Sequence, residues 1–327
     1  MAESDTEAPI LAVDLGGTKI ATALVSTKKQ IIAQQYMLTL ADEGPDAVVR
    51  RMLAAISSAL TKAQVLCPAF STIAISSAGI IDVRKGIVTA SPSFPGWHDI
   101  PLQEIVEAET GLKCFLINDA TAAVTAEHRL GAGMGLRNIL YVTVSTGIGG
   151  GIIVDDNLYS GFSGCAGEIG HMTIDINGPR CTCGSVGCLE ALASGTAVAK
   201  EAQRRIACGE KSIILELVDD EPQNITAEMV AAAAKRRDAM ALEIVSQAAT
   251  YLGIGMANLV NIFNPEIIII GGGMSKMGDM LFDPLRRTVE ERAFRLPGNM
   301  VQIVPSKLGD DVSLLGAAIC LMISQGL

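Results

Sequence analysis

The pattern of apolar and polar positions divides the first part of the chain into short apolar runs and one long amphipathic segment. Residues 10–26 form two apolar runs around a glycine pair, which predicts a strand, a turn and a second strand, and residues 30–40 predict a third strand. Apolar positions recur at helical spacing over residues 44–64. Two further strands, 72–80 and 114–118, flank a short helix. This succession predicts an α/β unit.

The rest of the chain repeats that pattern in outline. An alanine-rich helix is predicted from Asn118–Asp119 to about Leu130, and a second strand, glycine loop and strand over residues 139–154. Several helices follow, including one over about 238–263, and then an isoleucine-rich strand that ends at three glycines. The last helix is expected to pack back on the first unit. We therefore predict two domains: a smaller α/β domain over residues 1–117, completed by a C-terminal helix at about 313–327, and a larger α/β domain over residues 118–312.

Composition narrows the class of protein. The chain has 327 residues, of which 49% are apolar and 18% charged, so a folded protein of about two domains is expected. Its net charge of −10, without a basic run, argues against nucleic acid as a partner. The short acidic N-terminus lacks the positive and apolar regions of a secretory signal. The uncharged stretch between Arg137 and Asp155 is interrupted by Ser145 and four glycines. We expect a cytoplasmic protein without a membrane partner.

Two glycine-rich loops, residues 14–19 and 145–151, each lie between two predicted strands. Glycines allow backbone N–H groups to approach an anion, Thr18 offers a hydroxyl, and the Asp14 carboxylate could hold a hydrated Mg²⁺. An ordinary hairpin turn also needs glycines, and for one loop alone that reading is equally good. Two such loops in one chain favour a nucleotide held between two domains, although neither loop fits the P-loop or the dinucleotide fingerprint.

His171, Cys181, Cys183 and Cys188 fall within eighteen positions, and they supply the four ligands that tetrahedral Zn²⁺ needs. Free thiols in a glycine-rich loop are the alternative. Three Cys and one His leave no open position, so the metal would be structural. Folding this loop around zinc would bring Glu168 and Glu190 together, where they could accept hydrogen bonds from sugar hydroxyls; solvated surface charge is the alternative for these two. Four further cysteines are expected as small buried hydrophobes: Cys67, Cys114, Cys208 and Cys320.

Asn118 and Asp119 stand where a strand gives way to a helix. Asp119 is a good N-cap residue, and taken alone that role is sufficient to account for it. A carboxylate at the end of a strand between two domains is also where a general base for an alcohol would lie.

Together these motifs resemble the ROK family of bacterial sugar kinases and regulators, within the actin-like ATPase fold, from about Leu11 to Gly316. The resemblance implies a two-domain actin-like ATPase (ribonuclease H-like) fold with a zinc-containing loop in the larger domain. It implies an ATP-dependent phosphoryl transfer to the 6-hydroxyl of a hexose, with Asp119 as the base. The implied cofactors are ATP, Mg²⁺ and a structural Zn²⁺, and the implied assembly is a homodimer or homotetramer. The implied sugar-binding residues are Gly79, Asn118, Asp119, Glu168, His171 and Glu190; the implied zinc ligands are His171, Cys181, Cys183 and Cys188; the implied nucleotide-binding residues are Asp14, Gly16, Gly17, Thr18, Lys19, Ser145, Thr146, Gly147, Gly271, Gly272 and Gly273.

Two further stretches bear on the sugar. Residues 91–97 resemble the glucokinase branch, except that Ser93 stands where Asn is common, whereas residues 76–81 and 145–147 are closer to N-acetylmannosamine kinases. Glucose is the first expectation and N-acetylmannosamine the second. Regulators of the family carry an N-terminal helix-turn-helix domain, for which the residues before Asp14 leave no room, so a DNA-binding repressor is not expected. A sugar-sensing protein without catalysis is the remaining alternative of another class.

Overall fold

The first half of the chain builds a five-stranded sheet. The structure, a computed structural model, describes residues 9–66, 72–91 and 93–326. The strands of this sheet are β1 (Ile10–Leu15), β2 (Lys19–Val25), β3 (Ile31–Leu38), β4 (Thr72–Ser77) and β8 (Lys113–Asn118). The strand order is β3-β2-β1-β4-β8; β1 pairs antiparallel with β2, and β1, β4 and β8 run parallel. Successive residues of β1 face opposite sides of this sheet, and both sides are covered.

A second five-stranded sheet repeats this arrangement. Its strands are β9 (Ile139–Val144), β10 (Ile148–Val154), β11 (Asn157–Leu158), β12 (Ile267–Gly271) and β13 (Gln302–Pro305). Their order is β11-β10-β9-β12-β13, with β9 antiparallel to β10 and parallel to β12, which is parallel to β13. Each strand therefore has a counterpart in the first sheet, as expected for a repeated supersecondary unit.

Helices cover the outer face of each sheet. On the first sheet lie α1 (Pro45–Leu66) and α2 (Leu102–Thr110), beside a small sheet formed by β5 (Ile80–Asp82), β6 (Ile87–Ala90) and β7 (His98–Ile100). In the second sheet, β10 and β11 are followed by a loop region over residues 159–188 and then by the helices that cover this sheet. These are α4 (Leu189–Ala193), α5 (Gly195–Ala207), α6 (Ala227–Lys235), α7 (Ala239–Phe263), α8 (Asp279–Arg292) and α9 (Arg295–Met300).

Two helices lie between the sheets and form a core with both of them. They are α3 (Asp119–Leu130) and α10 (Val312–Gln325), which pack on each other and on strands of the two sheets. Their contact is close at Gly316, where a Cβ atom would overlap the carbonyl oxygen of Ala122. α10 also packs on β1 and β4, so the end of the chain returns to the first sheet. Within the described ranges, no helix has the length and apolar character needed to cross a membrane.

Candidate active site

A large cleft of about 1710 Å³ opens between the two sheets. Both glycine loops line it, together with the start of α3 and the cysteine-rich loop. Two of the residues that the resemblance implies do not line it: Gly271 is buried at the end of β12 against Tyr141, and Cys188 lies beneath the surface of the cleft. The implied residues that do line it are Asp14, Gly16, Gly17, Thr18, Lys19, Gly79, Asn118, Asp119, Ser145, Thr146, Gly147, Glu168, His171, Cys181, Cys183, Glu190, Gly272 and Gly273.

The first glycine loop is the hairpin between β1 and β2. The Gly16 N–H donates to the Lys19 carbonyl at 3.1 Å, and a Cβ atom on Gly17 would lie 3.0 Å from the Cβ of Ser93, so Ser93 packs beside this loop. Asp14, at the end of β1, accepts a hydrogen bond of 2.8 Å from the Ser76 hydroxyl. Burial raises the pKa of Asp14 to about 6, and the Ser76 hydroxyl and Lys19 oppose that rise.

The second glycine loop connects β9 to β10 and is tied to the start of α5. Ser145 donates its N–H to the Gly147 carbonyl at 2.9 Å and accepts from the Gly195 N–H at 2.7 Å. Glu190, on α4, accepts a hydrogen bond of 2.9 Å from the Ile148 N–H through Oε2. The loop that is expected to hold phosphate is therefore linked directly to one of the carboxylates expected to bind sugar.

The junction of β8 and α3 places Asn118 and Asp119 in the cleft. Asn118 is the N-cap: its Oδ1 accepts from the N–H groups of Ala120 and Thr121, at 3.0 and 3.1 Å. The expectation that Asp119 caps the helix is wrong, because Asp119 is already the first helical residue. The Asn118 Nδ2 donates to the Gly79 carbonyl at 3.0 Å, which leaves one amide proton of Asn118 without an intramolecular acceptor among the described residues.

Gly79 is required for this arrangement. Its φ of +116° falls in the region that favours glycine, and a Cβ atom would lie 2.7 Å from the Cβ of Ser91. A larger residue would displace the carbonyl that receives the Asn118 amide.

Asp119, which lines the cleft, has a carboxylate with a strongly raised pKa. Burial raises its pKa to about 7, the carboxylate of Asp14 adds to the rise, and the hydrogen bond of 2.8 Å from the Ala120 N–H opposes it. Glu168 raises it further. A carboxylate with a pKa near neutrality has the properties of a general base.

The cysteine-rich loop brings four ligand atoms together. The Sγ atoms of Cys181, Cys183 and Cys188 and a ring nitrogen of His171 all lie within 4.8 Å of one another. The Cys183 and Cys188 Sγ atoms are 3.7 Å apart, as are the Cys181 Sγ and the His171 Nδ1. Zinc–sulfur bonds of about 2.3 Å in a tetrahedron give a ligand separation of about 3.8 Å. This cluster therefore fits a tetrahedral Zn²⁺.

The cysteine-rich loop also positions the two carboxylates that the resemblance implies for sugar binding, Glu168 and Glu190. While the Nδ1 of His171 faces the cysteines, its Nε2 lies 3.9 Å from Glu168 Oε2. Cys188 pairs with Thr173 as an antiparallel bridge, and the helix that carries Glu190 begins directly after it. Burial raises the pKa of Glu168, Glu190 adds to the rise, and His171 opposes it. Both carboxylates thus lie in one part of the cleft.

Two residues that line the cleft, Lys276 and Asp310, were not indicated by the sequence patterns. Lys276 follows Gly272 and Gly273 and pairs with Asp310, 2.9 Å from Nζ to Oδ1. Ser76 could have been found from the sheet pattern, because parallel pairing of β1 and β4 sets it opposite Asp14.

The cysteine expectations hold in part. Cys114 and Cys320 are buried, but Cys208 is exposed because it ends α5, and Cys67 lies outside the described residues. Cys165, which the sequence patterns did not single out, lines the cleft in the glycine-rich loop before Glu168.

The chain is similar to known proteins over nearly its whole length. The ROK family profile matches residues 10–323. A glucokinase of Thermotoga maritima is 38% identical over 94% of this chain and 96% of its own. A putative xylose repressor of a Caldicellulosiruptor species is 34% identical over 94% of this chain and 76% of its own. The crystal structure of a ROK family glucokinase from Streptomyces griseus, in complex with glucose and AMPPNP, is 31% identical with a TM-score of 0.84, over 95% of this chain and 98% of that one.

Proposed function

Since the chain belongs to the ROK family, we propose that it is an ATP-dependent sugar kinase that phosphorylates the 6-hydroxyl of glucose. The observation that carries this proposal is the position of Asp119. Its carboxylate lies in the cleft with the two glycine loops, at the start of the helix between the sheets. Phosphoryl transfer needs chiefly this combination, a base near the acceptor and backbone groups around the phosphates.

The proposed reaction uses Asp119 as the proton acceptor. An Asp119 carboxylate oxygen takes the proton of the sugar hydroxyl, and the sugar oxygen forms a bond to the γ-phosphorus. The bond between that phosphorus and the β–γ bridging oxygen breaks, and ADP leaves. The pKa of about 7 lets Asp119 be ionised before the step and hold the proton after it.

Two metals are part of the proposal. Asp14 is a carboxylate at the end of β1 beside the first glycine loop, and its free oxygen fits a hydrated Mg²⁺ that accompanies ATP. That ion would neutralise phosphate charge. His171, Cys181, Cys183 and Cys188 would hold a structural Zn²⁺, which leaves no open position for catalysis.

Sugar recognition is proposed for the carboxylates and the free donors near Asp119. Glu168 and Glu190 accept hydrogen bonds from sugar hydroxyls, while the second amide proton of Asn118 donates one. With the His171 Nδ1 directed at the cysteines, its Nε2 is free to contact a hydroxyl.

We further propose a cytoplasmic homodimer or homotetramer. Four large apolar side chains near the ends of α7 and α8 and on α9 support a contact between subunits, because each is about 70% exposed or more: Ile262, Phe294, Leu296 and Met300. Light scattering after size exclusion tests the assembly, and a monomer at micromolar concentration would contradict it.

The test of the function is an ADP-release assay over a panel of hexoses and N-acetylhexosamines. We expect glucose to give the highest kcat/KM and Asp119→Asn to lower turnover by about 10²-fold or more. A preference of about tenfold for N-acetylmannosamine, about 1.4 kcal/mol in transition-state binding, would replace glucose by that sugar. Residues 76–81, which are closer to N-acetylmannosamine kinases, make this the relevant competitor.

A second candidate is a sugar sensor without catalysis, which the similarity to a putative xylose repressor favours. Calorimetric binding of a sugar by the wild-type chain, with no ADP release in the presence of any sugar of the panel, would establish this function instead.

A further inference from the structure

Glu127 is a fully buried carboxylate that the proposed mechanism does not use. It lies on α3, and among the described residues no Lys, Arg or His side chain forms an ion pair with it. Neutral donors surround it instead. Burying a carboxylate lowers the free energy of unfolding unless its oxygens accept several hydrogen bonds. The donors that contact Glu127 are therefore important for keeping it buried.

The donors come from a segment far away in sequence. The Glu127 Oε1 accepts from the Ser306 hydroxyl at 2.6 Å and from the N–H groups of Lys307 and Leu308 at 2.9 and 3.0 Å. The Oε2 accepts from the Ala132 N–H at 2.7 Å. One side chain on the central helix therefore fixes three consecutive residues after β13.

These three residues lead into the wall of the cleft. Ser306 lines the cleft, as do Gly309 and Asp310 directly after the held segment. Asp310 in turn pairs with Lys276, which follows the glycines expected near the nucleotide. The hydrogen bonds of Glu127 therefore support this wall, together with the bond of 2.9 Å from the Ser306 N–H to the Ile270 carbonyl.

We propose that Glu127 is a positioning residue for the nucleotide: by holding residues 306–308 it sets the place of Gly309, Asp310 and Lys276 in the cleft. This rests on the proposed function, which puts ATP in this part of the cleft. Glu127 touches neither substrate. Asp119 and Glu127 stand eight residues apart on α3, about 12 Å along the helix, so the same helix carries the base and the support of the nucleotide wall.

The test is Glu127→Gln, which keeps the shape but gives one of the two positions an N–H₂ group that cannot accept a hydrogen bond. We expect KM for ATP and the Kd for AMPPNP to rise about fivefold or more, while KM for the sugar stays within about twofold. Ser306→Ala, which removes the 2.6 Å bond alone, should give a smaller rise of the same kind. If Glu127→Gln does not fold, Ser306→Ala carries the test.

The matched control is Thr125→Val on the same helix. Thr125 is buried, and its hydroxyl donates to the Thr121 carbonyl of its own helix rather than to the wall. This variant should lose some stability in urea unfolding and leave both KM values unchanged.

If Glu127→Gln and Ser306→Ala change the two KM values equally, or change neither of them, Glu127 is only structural and the proposal is overturned. If the wild-type chain binds no AMPPNP, the kinase function fails, and this proposal with it.

Discussion

The raised pKa of Asp119 can be tested in two measurements, the pH dependence of kcat/KM and the pH dependence of stability. Only the ionised carboxylate can accept the sugar proton, and with a pKa of about 7 it is half ionised at pH 7. We therefore expect kcat/KM for the sugar to rise with pH to a plateau, and to be about tenfold lower at pH 6 than on that plateau. A carboxylate with the ordinary value of 3.8 would give no such change above about pH 5.

The same pKa shift affects stability with the opposite sign. Between about pH 4 and 7 the folded chain keeps a proton on Asp119 that the unfolded chain has lost, so this group's contribution to stability is full below that window and is lost as the pH rises through it. The whole shift corresponds to about 4 kcal/mol. Because one pKa shift determines both measurements, a loss of stability far below about 4 kcal/mol would require a kinetic pKa far below 7.

Asp119→Asn separates the two effects. The variant keeps the acceptor for the Ala120 N–H and leaves the Asn118 cap untouched, but it cannot ionise. Urea unfolding at pH 5, 6, 7 and 8 should show a stability advantage over the wild-type chain that grows to pH 7 and then levels off. The kinetic profile is measured at saturating ATP and Mg²⁺, so that titration of free ATP does not enter. A flat pH profile together with an equal stability of the two proteins at all pH values would refute the assignment of this pKa.

Three further outcomes are expected. Purified without added metal, the chain should carry about one zinc ion, and Cys183→Ser should lose both the metal, by elemental analysis, and sugar binding, by calorimetry; a metal-free chain that binds sugar would contradict this. Ser93→Asn should lower KM for glucose by adding an amide donor, whereas a change in KM for ATP alone would assign Ser93 to the neighbouring Gly17 loop. Gly316→Ala should destabilise the chain by about 1–3 kcal/mol in urea unfolding, because its Cβ would overlap the Ala122 carbonyl, while Gly298→Ala on α9 should cost much less, because its Cβ would meet only the Ala293 Cβ, at 3.1 Å.

Much of the fold follows from local signals in the sequence. Apolar runs, glycine turns and helical spacing predicted all five strands of the first sheet and β9, β10 and β12 of the second, but not its edge strands β11 and β13. The repetition between the two halves is visible as equal strand order. The ROK resemblance and the actin-like fold are confirmed. The His171 and cysteine spacing predicted a four-ligand cluster, and the four atoms do lie together.

What the sequence did not reveal depends on contacts between distant residues. Asn118 and Asp119 are both good caps, and the choice of Asn118 follows from its second bond, to Gly79, which lies 39 positions earlier in the chain. Glu127 reads as a surface charge in an alanine-rich helix, but its donors at Ser306, Lys307 and Leu308 are 179 to 181 positions away. Such long-range partners leave no periodic signal.

The helix pair between the sheets has a consequence for how the two lobes could rotate. The chain passes from the first sheet to the second through α3 and returns through α10. These two helices pack on each other, so both connections lie close to one line, and a rotation of one sheet relative to the other would turn about that line. Points near an axis travel least when a body turns about it. Asp119 is the first residue of α3, whereas Glu168 and Glu190 lie in segments that follow the second sheet's β10 and β11. During any such rotation Asp119, the proposed proton acceptor, would move little, whereas Glu168 and Glu190, the carboxylates proposed to bind the sugar, would move relative to it.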